Sequence, residues 1–305
     1  MSICVLLFRD FTIKFDGKVV PVLEARKVKE LFSYLLLNQE RPHRRQLLMT
    51  LLWEDSSEAR AQKYLRQILW QLQSDLTSFF PKGDQQPLMV DTDWVHINIH
   101  ADIWCDAIEF QKAYQFTQNI SGSLLDTEQI HVLEEAITLY QGDLLESWNQ
   151  NWCLIEREHC HNMFLLMLDK LMDACEVYHR YEDGIEYGRR ALKQDYARER
   201  TYRRLMRLHS LLGDRNGAMR QYEQCVAALR AELDVAPAHS TQELFNRIRR
   251  DELVQTEFVK TQNLPTSFQS SGNLVEQLKH IHSNLGKIQA LVQREIEEVK
   301  RFYSS

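Results

Sequence analysis

Residues 60–74 carry side chains suited to meeting nucleic acid. Lys63, Gln67, Trp70 and Ser74 recur at helical spacing, flanked by Arg60 and Arg66. Lysine and arginine can meet phosphates or guanine edges and glutamine can read adenine, which together is the chemistry of major-groove readout. A solvated helix face would produce the same pattern, and an indole at Trp70 also suits a covering protein partner. A second line is denser in charge. Arg200, Arg203, Arg204 and Arg207 share one side of a helical segment, with Arg189, Arg190 and Arg198 nearby. Guanidinium forks bind phosphates bidentately and stack on purine rings, so this stripe has the chemistry for an anionic nucleotide. Surface pairing with Glu199, Glu186 or Glu223 is the alternative.

Catalysis finds less support. There is no glycine-rich phosphate loop, GxSxG elbow or HExxH pair. Glu134 and Glu135 are adjacent, diverge on a helix and read as solvent-facing charges. The six cysteines are widely spaced with no CxxC pair, so they read as reduced core thiols rather than a disulfide framework or zinc module. His159, Cys160 and His161 are contiguous and cannot easily share one ion on a helix. The expectation is a non-enzymatic protein that requires no cofactor or metal.

Charge and length set further limits. The net charge is -6, but residues 1–100 carry 13 Lys+Arg against 12 Asp+Glu while residues 101–250 carry 18 against 24. Any nucleic-acid site must be a local patch rather than a basic field. With 305 residues, two folded units plus a tail are expected. No apolar stretch approaches the roughly 18 residues of a bilayer span, and no signal-peptide pattern opens the chain, so the expectation is a cytoplasmic protein with no membrane contact.

The elements that would position these side chains follow from periodicity. Residues 1–23 alternate apolar and polar around Asp16-Gly17, predicting a short antiparallel sheet. Val28, Leu31, Phe32, Leu35 and Leu36 predict a helix ending near Asn38, and Arg44 to Trp53 a second. A third helix, opening at Ser56 or Ser57, runs to about Leu76 with Ala61, Leu65, Ile68, Leu69, Leu72 and Leu76 on its buried face. Leu88 to Val90 and Val95 to Ile99 flank Asp91-Thr92-Asp93 as a hairpin. This is the order of a winged helix with an extra N-terminal sheet.

From residue 101 the pattern is nearly all helix. Gly184-Ile185 is echoed 33 positions later by Gly217-Ala218, the mark of tetratricopeptide-like hairpins that stack into a curved array. Trp104, Trp148 and Trp152 are expected to pack between hairpins. In the helix from Glu199, Tyr202, Leu205, Met206, His209 and Leu212 are expected to be the packed face, with the arginines opposite. Residues 255–273 read as a linker. Leu274, Leu278, Ile281, Leu285, Ile288 and Val292 then follow a heptad seam. The predicted class is therefore mainly α: a winged helix with small antiparallel sheets (1–100), a tetratricopeptide-like array (101–254), the linker, and a coiled-coil helix (274–303). That helix would either form a homodimer or pack on its own chain.

Three stretches of the head, "LLFRDFTIKFDGKVVPV", "LFSYLLLNQERPHRRQLLMTLLWED" and "ARAQKYLRQILWQLQSDL", resemble the OmpR-like winged helix of SARP-type bacterial transcriptional activators. "DAIEFQKAY", "LEEAITLYQGDLLE" and "YRRLMRLHSLLGDRNGAMRQYEQCVAALRAELDVAP" resemble their bacterial transcriptional activator domain. The resemblance covers about residues 3–250. It implies a head that binds promoter DNA in the major groove and helps recruit RNA polymerase or another transcription factor. By position, Arg44 and Arg45 fall at the second helix, and Lys63, Arg66, Gln67 and Trp70 on the recognition helix. Two departures stand out: Leu72-Gln73 replaces the usual Leu-Arg, and Asp234 stands where the family has glycine. In a bacterial regulator, cyclic di-GMP is the natural candidate for the arginine stripe, which gives a second reading as a nucleotide receptor or adaptor signalling through protein contact. A head that binds protein rather than DNA also remains open.

Overall fold

A computed structural model describes residues 3–20, 23–77 and 86–251. The linker at 255–273 and the coiled-coil helix at 274–303, with the homodimer they suggested, lie outside the described residues. Within them the expected class holds: small sheets at the N-terminal end, then a helical array.

The head opens with β1 (Ile3–Leu6), β2 (Thr12–Phe15) and β3 (Lys18–Val19), paired antiparallel as the alternation required. Asp16 and Gly17 turn the β2–β3 hairpin at φ 46° and 79°, conformations open to Asp and Gly at low cost. Then come α1 (Arg26–Leu37), β4 (His43–Arg44), α2 (Arg45–Leu52) and α3 (Glu58–Thr77). The apolar face read for α3 is buried at all six positions. β5 (Leu88–Val90) and β6 (Trp94–Ile97) form the wing, joined by β4 in a three-stranded sheet of order β4-β6-β5.

The chain then returns to the start. β7 (Ile103–Cys105) pairs parallel with β1, completing a sheet of order β3-β2-β1-β7. Parallel pairing needs a long crossover, and here the crossover is the winged helix itself. The array begins at the next residue with α4 (Asp106–Thr117) and α5 (Thr127–Leu139), then α6 (Asn151–Val177), α7 (Tyr181–Gln194), α8 (Glu199–Leu211), α9 (Arg215–Leu233) and α10 (His239–Arg249). One apolar core runs across residue 100, from Val5, Leu31 and Leu72 to Phe110, Leu133 and Phe164.

Polar contacts lock this junction. Asp106, buried at the first turn of α4, accepts the backbone N–H groups of Leu7 (2.8 Å), Phe8 (3.1 Å) and Ala107 (2.7 Å). Its carboxyl is pushed above the usual range by burial, which outweighs those three bonds. The segment after α5 interleaves with the strand end: Leu145 N–H donates to Leu7 O, Arg9 N–H to Asp143 O, and Glu146 N–H to Arg9 O. Arg157 of α6 then donates to the carbonyls of Leu144, Leu145 and Trp148, holding that segment from below.

The glycine echo marks close helix approaches in the array. A Cβ on Gly184 would lie 2.9 Å from Leu208 Cδ1, and one on neighbouring Gly188 only 2.5 Å from Leu205 Cδ2, so the two glycines let α7 lie close on α8 and a side chain at either would force those leucines to shift. Asp234 caps α9 in the left-handed region at φ 54°, ψ 38°. It thus adopts the conformation for which the family's glycine is suited, and the helix ending is kept.

Three sequence expectations need correction. Glu134 is not a solvent-facing charge: its Oε1 accepts Arg180 Nη2 (2.8 Å) and Tyr187 OH (2.9 Å), and only Glu135 is well exposed. Leu212 is 44% exposed rather than packed, because α8 ends at Leu211 and turns at Gly213. Trp148 and Trp152 are buried as expected, but Trp104 is 36% exposed on β7.

Candidate nucleic-acid interface

The exposed side of α3 is the candidate surface. Burial of its apolar stripe against α1 and α2 leaves Arg60, Lys63, Arg66, Gln67, Trp70 and Ser74 exposed together. Trp70 is 72% exposed, the most open of the large aromatic side chains on α3. No element of the described residues covers it. An exposed indole on the same helix face as Lys63 and Arg66 has the chemistry to contact bases, sugars or another protein.

Arg44 and Arg45 sit beside this helix but are partly engaged. Arg44 ends β4 rather than lying on the second helix, and its guanidinium stacks over the Trp94 ring at 5.2 Å. Arg45 opens α2 and donates to the wing-turn carbonyls of Thr92 (3.2 Å) and, more weakly, Asp91 (3.5 Å). Arg45 therefore ties the wing turn to α2, while the Arg44–Trp94 stack is a cross-strand contact within the sheet. With Gln62, Arg66 and Trp94 the two arginines line a groove of about 620 Å³ between α2, α3 and the wing. Glu58 and Asp93 also line it and reduce its positive charge. This surface can position a phosphate backbone, with α3 directed at base edges.

The arginine stripe has a different environment. α6 carries Asp169, Asp173 and Glu176 at helical spacing, and these face the arginines. Asp169, buried to 2% exposure, accepts a bidentate fork from Arg198 (2.8 and 2.9 Å) and is also bridged by Arg204 and Arg200. Arg204 reaches Asp173 at 2.7 Å and Arg207 reaches Glu176 at 2.6 Å. Burial keeps the Asp173 carboxyl above the usual range despite Arg204. Arg203 pairs with Glu199 and Arg189 with Glu186, while Arg190 donates to the Ile137 carbonyl and lies over Phe164. Of the two readings of this stripe, ion pairing describes its surroundings, as an intramolecular seam between α6 and α8. A cyclic dinucleotide would have to displace buried carboxylates to use Arg198 or Arg204.

α9 gives a measurable consequence of the same local electrostatics. Its N-cap, Asp214, accepts Gly217 N–H at 2.8 Å and lies 3.0 Å from His209 Nδ1. The Gly217 bond first, and His209 next, hold its carboxyl below the usual range. Asp214→Ala is expected to cost about 1 kcal/mol at neutral pH in urea unfolding. Because the folded value is depressed, the stabilisation is complete above the ordinary carboxylate range and is lost as pH falls through the depressed value. The gap between wild type and variant should therefore close in acid.

Comparison places this architecture among known proteins. Residues 105–249, which span the array from the end of β7 to α10, match the family model of the bacterial transcriptional activator domain. Among solved structures, the chain is similar to Mycobacterium tuberculosis EmbR, which was solved in complex with a low-affinity phosphopeptide: TM-score 0.70 at 18% sequence identity, covering 82% of this chain. The match spans 65% of that protein's chain, less than two thirds of its length. No curated protein sequence matches the chain. The likeness extends across the head as well as the array, and the SARP-type resemblance read from the motifs has the same order of parts. No helix of the described residues is long and apolar enough to cross a membrane.

Proposed function

We propose that this chain is a SARP-type transcription regulator that binds promoter DNA through α3 and the wing and contacts the transcription machinery through its helical array. The observation that carries the reading is the arrangement of α3. Its six apolar side chains are buried, while Arg60, Lys63, Arg66, Gln67 and Trp70 are exposed along one side of the helix, and Arg66 also lines the groove to the wing. The activator-domain match supports the regulatory role of the array. The protein acts by binding, with no catalytic step. Two copies of the chain would suit a repeated promoter site.

Selection of bound fragments from genomic DNA, followed by affinity measurement at stated salt, tests the reading. Lys63→Ala and Arg66→Ala should each weaken the selected site by about 1–3 kcal/mol. Each change that removes a phosphate contact should also lower the salt slope by about 1. Both positions are exposed, so stability should stay within about 0.5 kcal/mol of wild type. Unchanged affinity in both variants would remove α3 as the reading helix.

A further inference from the structure

The first hairpin of the array buries one side and leaves apolar side chains in water on the other. Phe110, Ile130, Leu133 and Ile137 of α4 and α5 belong to the core. On the other side, Glu109, Lys112 and Phe116 of α4 form one line at helical spacing and Glu128, Val132, Glu135 and Leu139 of α5 another, over the buried Ala113 and Ala136; Phe116 is open to water, while Val132 and Leu139 are partly buried against the core. The two lines border a groove of about 660 Å³, with Trp104 of β7 also in its lining. Phe116 is 55% exposed and Trp104 36%. The outer unit of a stacked helical array ordinarily presents a polar face to stay soluble. Here the floor is aromatic and aliphatic.

The border has a sign. Glu109, Glu128 and Glu135 stand along the groove with one lysine, Lys112, which is committed to Glu109 at 2.8 Å, while the His131 ring lies 3.2 Å from Glu135. Glu135 is 69% exposed. An apolar trough between two helices accepts a third helix by ridges-into-grooves packing, and the 12 and 13 residues of α4 and α5 give it room for about three turns. Acidic edges favour lysine and arginine on the flanks of that helix and repel an acidic helix or a phosphate backbone.

We propose that the α4–α5 groove docks an amphipathic helix of a partner protein, one with an apolar stripe flanked by basic side chains. This gives the array's partner contact a place and a chemistry. It rests on the reading of the array as a contact surface and is independent of DNA binding by α3.

The test uses the full chain and a labelled leucine-lysine amphipathic peptide of about fourteen residues, with a twin in which every lysine is glutamate, followed by fluorescence anisotropy. The lysine peptide should bind at least about tenfold more tightly than its twin. Phe116→Asp and Val132→Asp should each weaken it by about tenfold or more, with far-UV circular dichroism and selected-DNA affinity unchanged. If either substitution unfolds the chain, the double variant Glu128→Lys with Glu135→Lys carries the test, because it changes only exposed charge and should reverse the preference toward the glutamate twin. Equal binding of both peptides, or binding indifferent to these substitutions, overturns the proposal. So does a wild-type dimer that Phe116→Asp converts to monomer, since the face would then belong to a second copy. Loss of DNA binding elsewhere in the chain would leave the peptide result standing on its own.

Discussion

Replacing Asp106 with alanine should cost roughly 3 to 5 kcal/mol and loosen the head from the array in the same step. The carboxylate is 3% exposed and satisfies three backbone donors, two of them on the strand end of the head and one at the start of α4. Alanine leaves those N–H groups unpaired in a site too apolar to hydrate them, and each such loss costs about 1–3 kcal/mol. Asparagine keeps an acceptor oxygen and should lose less. Urea unfolding gives the energy, and limited proteolysis between the two parts reports the loosening. A loss under about 1 kcal/mol would mean that core packing alone holds the junction.

The second large effect is expected at Asp169. Its two oxygens take the fork of Arg198 and the guanidinium of Arg204, side chains only 17% and 16% exposed. Asp169→Ala takes from Arg198 its carboxylate and leaves Arg204 with Asp173 alone, and removing one partner of a buried pair costs about 3–5 kcal/mol. Arg200 and Arg207 are more than half exposed and should matter far less. The same variant also separates the two roles considered for the stripe. If the arginines serve the seam, Asp169→Ala destabilises the array; if they serve an anionic ligand, freeing them should produce tight nucleotide binding with the fold intact.

Local patterns made much of the head legible. The six apolar positions from Ala61 to Leu76 fix the orientation of α3, and Asp91-Thr92-Asp93 fixes the wing turn, because both depend on near neighbours. The β1–β7 pair was not legible, since Ile103-Trp104-Cys105 is only three residues long and its partner lies about one hundred positions earlier. Asp106 resembles any acidic residue in a first helical turn until Leu7 and Phe8 are brought against it.

The full set of partners of the arginine stripe was hidden for the same reason. Near neighbours Glu186 and Glu199 do take Arg189 and Arg203, but the strongest acceptors are 29 to 31 residues away on α6. A usable signal was present: Asp169, Asp173 and Glu176 interrupt the largely apolar C-terminal half of α6 at the same spacing as Arg200, Arg204 and Arg207. Charged residues placed that way require buried partners. Asp234 shows the converse case, where a departure from the family's glycine changes the side chain and leaves the left-handed cap in place.

The most direct measurement concerns Trp70, the exposed centre of the α3 face. A photo-reactive benzoyl-phenylalanine at position 70 of the full chain, irradiated in the presence of selected genomic fragments and total cell protein, reports what that face touches. DNA adducts confined to one short sequence, and lost when Lys63 and Arg66 are replaced, are the expected result. Adducts to protein alone, with no DNA product, would contradict DNA binding by this helix.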